Sequence, residues 1–219
     1  MGPPRAPVQG GPGDEVPRKI MSEPRIGRFL VASLHQSIAE LLPDRLEFYE
    51  NWLSHHGLRE GTIGLAPLHA VLSFLRSEGD VYAQVVARAG DYAAQWTVNG
   101  LPGLERRILR TLPLRLRTRA ALRTASGLVS ATYPGSRAIV RKRKEAVSID
   151  LRGSLFCEVR EASVQPLCGF YAAAISRVLQ LFAVPGEAQM DACRAAGGGP
   201  ICSMSVIIRQ ATAGESAAA

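Results

Sequence analysis

Apolar residues recur at helical spacing through the first half of the chain. Between Ile26 and Leu42, residues Ile26, Phe29, Leu30, Leu34, Ile38, Leu41 and Leu42 fall close to one stripe, which predicts an amphipathic helix. Pro43 ends it, and Asp44 is placed to cap a second helix over Arg45–His56 with Leu46, Phe48, Tyr49 and Leu53 inward. Gly57 stops that helix. A short apolar helix is predicted over Leu65–Arg76, and Gly79-Asp80 breaks the chain after it. Val81–Val98 then reads as a long helix that buries Val85, Val86, Ala89, Tyr92, Ala93 and Trp96. Leu104–Leu122 is helical on both sides of Pro113, which either begins a second helix or kinks one.

The period changes after Pro134-Gly135. Arg137–Lys142 and Ala146–Leu151 predict a first β-hairpin, and Gln165–Phe182 returns to helix with Pro166 in its first turn. Gly186–Ala195 and Ile201–Arg209 predict a second hairpin around Gly197-Gly198-Gly199-Pro200. Helices, hairpin, helix, hairpin is the order of an α+β domain.

Composition bounds this picture. The chain has 219 residues, 47% hydrophobic and 21% charged, enough for one domain with a real core. Residues 1–24 hold six Pro and four Gly and are expected to form a disordered leader; 25–210 form the body and 211–219 a flexible tail. The most apolar run, Tyr171 to Val184, is interrupted by Ser176, Arg177 and Gln180, so no membrane-spanning helix is expected. The first residues show no basic-then-apolar leader, and a cytoplasmic location is expected.

The net charge of +7 is uneven: Arg106 to Lys144 holds twelve Lys/Arg and no Asp/Glu, leaving −5 on the rest. A solvated face is the first reading of this block. A peripheral contact with an anionic membrane, or with a ligand carboxylate, is the second. Nucleic acid is the least favoured partner, because no recognition module or aromatic interleaving accompanies the charge.

Cys157, Cys168, Cys193 and Cys202 all lie in the last third. In a cytosolic protein, clustered cysteines favour metal binding or reactive thiols over disulfides. Thiolates bind zinc in tetrahedral sets drawn from separate elements. Cys168 falls in the first turn of the last helix, and Cys193 and Cys202 on the two arms of the final hairpin. Asp191, Glu187 or Cys157 is the candidate for a fourth ligand. His35, His55, His56 and His69 lie far from the cysteines in sequence and read as helix-end or packing residues. There is no GxSxG, and the glycine cluster sits in a hairpin turn rather than between a strand and a helix, so neither an activated serine nor a dinucleotide fingerprint is present.

The run Cys168-Gly169-Phe170-Tyr171-Ala172-Ala173, followed by Cys193-Arg194-Ala195-Ala196-Gly197 and Cys202-Ser203-Met204-Ser205-Val206, resembles the 4-vinyl-reductase-type small-molecule-binding domain. That domain shares its fold with the small subunits of the TRAPP vesicle-tethering complex. Gly27-Arg28-Phe29-Leu30, Arg88-Ala89-Gly90 and Leu112-Pro113-Leu114-Arg115-Leu116-Arg117 extend the resemblance, which covers roughly 25–208. It implies helices packed on a small antiparallel sheet, frequent dimerisation, and binding of hydrophobic small molecules. In the phenol-sensing members a zinc is held by three cysteines and a carboxylate. The resemblance places Cys168, Cys193 and Cys202 at those cysteines and Asp191 near the carboxylate. Here the carboxylate stands two residues before Cys193 rather than three, where Met190 is found, and the gap to Cys202 is one residue longer.

A hydrophobic ligand needs an apolar cavity with few polar anchors. Phe29, Leu30, Leu72, Phe74, Val85, Tyr92, Trp96, Phe170 and Tyr171 are the candidate lining residues. The expected function is non-enzymatic binding of a lipid, aromatic or tetrapyrrole-like molecule, with a structural zinc and a second copy or a partner protein. The alternatives are an assembly or adaptor module of TRAPP-like type and an accessory factor or reductase in tetrapyrrole metabolism.

Overall fold

The computed structural model describes residues 2, 26–53, 57, 63–143, 146–158 and 162–209. Nearly all of the expected leader, the tail, the first hairpin's tip at 144–145, and His55 and His56 lie outside these residues.

The first helix, α1 (Arg28–Leu41), buries Leu30, Leu34 and Ile38 of the predicted stripe, and Val31 beside it. Phe29 departs from it and is 41% exposed. A 3-10 turn at Pro43–Arg45 leads into α2 (Leu46–Glu50). This helix is much shorter than the predicted Arg45–His56, since the chain turns at Asn51. Tyr49 and Leu53 face inward as expected, but Phe48 does not: it is 41% exposed and packs edge-on against Phe74 with ring centres 5.0 Å apart.

Next come α3 (Leu65–Ser77) and α4 (Val81–Asn99), within a residue of their predicted limits. Pro113 begins a helix rather than kinking one, so α5 (Gly103–Thr111) and α6 (Leu114–Thr132) are separate. The second runs ten residues past the expected end because Ala125, Leu128, Val129 and Thr132 continue the buried face.

The strands β1 (Arg137–Arg143) and β2 (Ala146–Arg152) form the first hairpin. A 3-10 turn at Leu155–Cys157 and a loop lead to α7 (Gly169–Leu181). That helix starts four residues later than predicted, so Pro166 precedes it. The second hairpin pairs β3 (Gly186–Ala192) with β4 (Cys202–Ile208). β3 ends before Cys193, where the chain enters a 3-10 turn at Arg194–Ala196.

β4 pairs with β2, giving one antiparallel sheet of order β1-β2-β4-β3. The fold is α+β, with helices packed against this sheet. Strand alternation divides the sheet's two faces. Val147, Ile149 and Leu151 align with Val206, Met204 and Cys202 on the buried face. Ser148, Asp150, Ser203 and Ser205 share the other, where the Arg141 guanidinium lies 2.6 Å from Asp150. Among the described residues no helix is long and apolar enough to cross a membrane.

α7 lies at the centre, packed on α4, α6 and β3. Its Tyr171 is fully buried, with its hydroxyl 3.4 Å from both Thr132 Oγ1 and Ser136 Oγ. Burial pushes this phenol up to about 12. The folded state therefore holds the proton that an unfolded tyrosine gives up near its ordinary value of about 10. This contribution to stability is complete below pH ~10 and is lost as pH rises toward 12. Tyr171→Phe is expected to flatten that alkaline loss by about 2–3 kcal/mol in urea titrations run across this range.

Candidate metal centre and apolar groove

The four cysteines converge from elements that are distant in sequence. The turn after β2 delivers Cys157, whose N–H donates to Ser154 O. Cys168 is the N-cap of α7, with Tyr171 N–H donating to its carbonyl at 3.0 Å. Cys193 follows β3, and its carbonyl accepts from Ala196 N–H at 3.0 Å and Gly198 N–H at 2.9 Å. Gly198 is pressed onto this residue: a Cβ there would lie 2.7 Å from Cys193 N. Cys202 opens β4 on the buried face of the sheet.

All four side chains are buried, and their sulfurs lie within 4.8 Å of one another. Cys157 Sγ stands 2.8 Å from Cys168, 3.4 Å from Cys193 and 3.5 Å from Cys202. Cys168 Sγ is 3.3 Å from Cys202 and 3.9 Å from Cys193. All four are free thiols rather than disulfides. This buried cluster has the donors and the size to hold one metal ion. A tetrahedral ion with metal–sulfur bonds of ~2.3 Å has sulfur–sulfur edges of about 3.8 Å, within the observed spread.

The surroundings favour thiolates. Leu167 N–H donates to Cys193 Sγ at 3.4 Å and Arg194 N–H to Cys202 Sγ at 3.3 Å. Ser154 Oγ lies 3.2 Å from Cys168 Sγ, which also sits at a helix N-terminus. The Arg194 guanidinium donates to Cys157 O at 3.1 Å, bringing a positive charge to the rim. Hydrogen bonding with Cys168 draws Cys157 down to about 7, and bonds from Cys157 and Cys168 draw Cys193 lower still. The same contacts with Cys157 push Cys168 and Cys202 up.

Behind the cluster, Phe156 stacks on Phe170 at 5.1 Å, and Tyr171 meets both rings edge-on. Tyr82 OH donates to Leu167 O at 3.0 Å and pins the loop before Cys168 onto α4.

Asp191 is not in this cluster. It sits in a bulge between Met190 and Ala192, is exposed, and accepts a hydrogen bond from Ser205 Oγ at 2.9 Å on the opposite face of the sheet. Glu187 is exposed and opposite Ile207. Cys157 completes the set instead. The described histidines are not part of this cluster: His35 Nε2 is 2.9 Å from Glu50 Oε1, and His69 Nε2 is 3.2 Å from Glu158 Oε2.

A second feature lies between α1, α4 and α6: an open groove of about 460 Å³. Arg28, Phe29 and Leu30 form one wall, Ala93 and Thr97 another, and Thr124, Gly127, Leu128, Ala131 and Thr132 the third. Thr97 and Thr132 donate their hydroxyls to Ala93 O and Val129 O on their own helices. Arg28 is the one charged residue among those lining residues.

Only Phe29 and Leu30 of the nine predicted lining residues border this groove. Trp96 stands next to it, its ring 6.3 Å from Phe29. Tyr92 stacks on Trp96 at 5.6 Å and donates to Glu40 at 2.6 Å, where Arg88 makes two further bonds. Leu72, Val85, Phe170 and Tyr171 are core residues without exposure, and Phe74 belongs to the exposed ring cluster with Phe48 and Trp52. The small residues Ala93, Gly127 and Ala131 open the groove, and size rather than hydropathy was the signal for it.

Comparison of the chain with protein-family models and with curated proteins finds no match.

Proposed function

We propose that the protein binds a hydrophobic small molecule in the groove between α1, α4 and α6, and that a structural zinc braces its second hairpin. The groove carries the first part. Its volume of about 460 Å³ falls in the range of small-molecule pockets, and its walls are apolar with a single charged side chain. Four sulfurs around one point, without a carboxylate, support the second part, because soft thiolates in tetrahedral array select zinc or iron. Burial of all four ligands leaves no open coordination position, which favours a structural over a catalytic role.

Binding is tested with 1-anilinonaphthalene-8-sulfonate, whose fluorescence rises in apolar sites. Gly127→Phe projects a ring from a position where a Cβ meets nothing within 4 Å. It is expected to fill the groove without disturbing the core and to weaken dye binding at least about tenfold, the cost of losing one good apolar contact surface. Unchanged binding by a folded Gly127→Phe protein would remove the groove from consideration. Native mass spectrometry of the unmodified protein supplies the mass of any molecule carried through purification.

One observation favours an assembly module as the second reading. Phe48, Trp52 and Phe74 form a contiguous ring cluster, each 38–41% exposed. Exposed apolar clusters mark protein contacts. A bare polypeptide mass with no dye binding would shift weight to this reading.

A further inference from the structure

The exposed side of α6 carries Arg115, Arg119 and Arg123, spaced four residues apart and so aligned on one face. Among the described residues none of the three makes an ion pair. Leu116 stands on the same face and is 49% exposed.

Topology adds β1 to this face. α6 ends at Thr132 and β1 begins at Arg137, so the strand runs back along the helix. Ser126 Oγ donates to Ala138 O at 3.1 Å and fixes their register. Four strand residues cover ~13 Å, as do about nine helical residues. Exposed Lys142 therefore comes level with Arg117, between Arg115 and Arg119. No Asp or Glu occurs from Arg106 to Lys144 to offset this charge.

We propose that this face docks on an anionic membrane surface. Unpaired arginines along one side of a helix, joined by a lysine from the neighbouring strand, complement a sheet of lipid phosphates and carboxylates. The exposed leucine among them supplies what a purely solvated face would lack: an apolar side chain that enters the acyl boundary once the charges have settled. Nucleic acid fits less well, because the stripe offers no aromatic ring for base stacking. The inference stands on charge and exposure and does not depend on the groove or the metal.

The test is flotation of the full chain with vesicles of phosphatidylcholine, with and without phosphatidylglycerol. The unmodified protein is expected to float only with the anionic vesicles and to be released by high salt. The variant R115Q/R119Q/R123Q, altered only at exposed positions, is expected to bind on the order of a hundredfold more weakly, at about fivefold per removed charge. Leu116→Ser is expected to bind several-fold more weakly while keeping the salt dependence. Equal flotation with neutral vesicles, undiminished binding by the triple variant, or tighter binding to duplex DNA than to anionic vesicles would each overturn the proposal. Circular dichroism confirms that every variant is folded.

Discussion

Cys157→Ser and Cys168→Ser are each expected to abolish stoichiometric zinc and to lower the thermal midpoint by about 10–20 °C. The size follows from what the cluster joins. Its sulfurs tie the turn after β2, the start of α7 and the two arms of the second hairpin where they meet its connecting loop. A structural zinc contributes its binding free energy to folding. Loss of about 5 kcal/mol, no more than half of what isolated zinc-binding peptides show, lowers the midpoint by about 10–20 °C at 2–4 °C per kcal/mol for a domain this size. A serine hydroxyl does not ionise near neutral pH, so it replaces the shape of the ligand but not its charge. Asp191→Ala is expected to keep the metal and to change stability by no more than about 0.5 kcal/mol, as usual for an exposed site, since Asp191 contacts Ser205 and not the sulfurs. The reverse pattern, metal lost with Asp191→Ala and kept with Cys157→Ser, would place a carboxylate in the site. Acid is expected to act like chelation, because each ligand must give up a proton to bind and regains it as pH falls. Metal analysis on the three variants and differential scanning calorimetry supply the readouts.

That contrast also shows where sequence reading reached its limit. Cys168, Cys193 and Cys202 were legible as a set because each falls at the edge of an element whose type the local pattern reveals. The choice between Asp191 and Cys157 was not local. Asp191 is two residues from Cys193, yet a strand bulge and the alternation of side chains put it on the far face. Cys157 is 36 residues from Cys193 in sequence, and its sulfur reaches within 3.4 Å only because β2 pairs with β4. The strand order β1-β2-β4-β3 has no signature in any single hairpin.

The helices tell the same story from the other side. Spacing of apolar residues located α1, α3 and α4 to within about two residues, because each buries one continuous stripe. The same spacing could not separate a pocket wall from a packed core. Leu72, Val85, Phe170 and Tyr171 are buried as Leu30 is, but of these only Leu30 borders the groove. What separates them is how closely neighbouring helices approach, which depends on the smallest residues and on contacts between distant segments.

Gly90→Ala is expected to destabilise the protein by about 3 kcal/mol or more, beyond the usual overpacking cost of 1–3 kcal/mol. Gly90 lies mid-helix in α4, where alanine would ordinarily stabilise by up to ~1 kcal/mol. Here the added Cβ would overlap the carbonyl oxygen of Phe170 and lie 2.9 Å from Ala174 N. Both obstacles are backbone atoms of α7, so no rotamer change relieves them; the two helices must separate. Because α7 begins at the cap residue Cys168, that separation is also expected to loosen the cluster and reduce retained metal. Gly127→Ala is the matched control. It makes the same exchange on the neighbouring helix, where the new Cβ meets nothing within 4 Å, and is expected to be neutral or stabilising by up to ~1 kcal/mol. Urea unfolding of the two variants should therefore move in opposite directions. A Gly90→Ala protein as stable as the parent, or more so, would mean that helix α4 stands further from α7 than this packing requires, and would return Phe170 and Tyr171 to the candidate pocket walls.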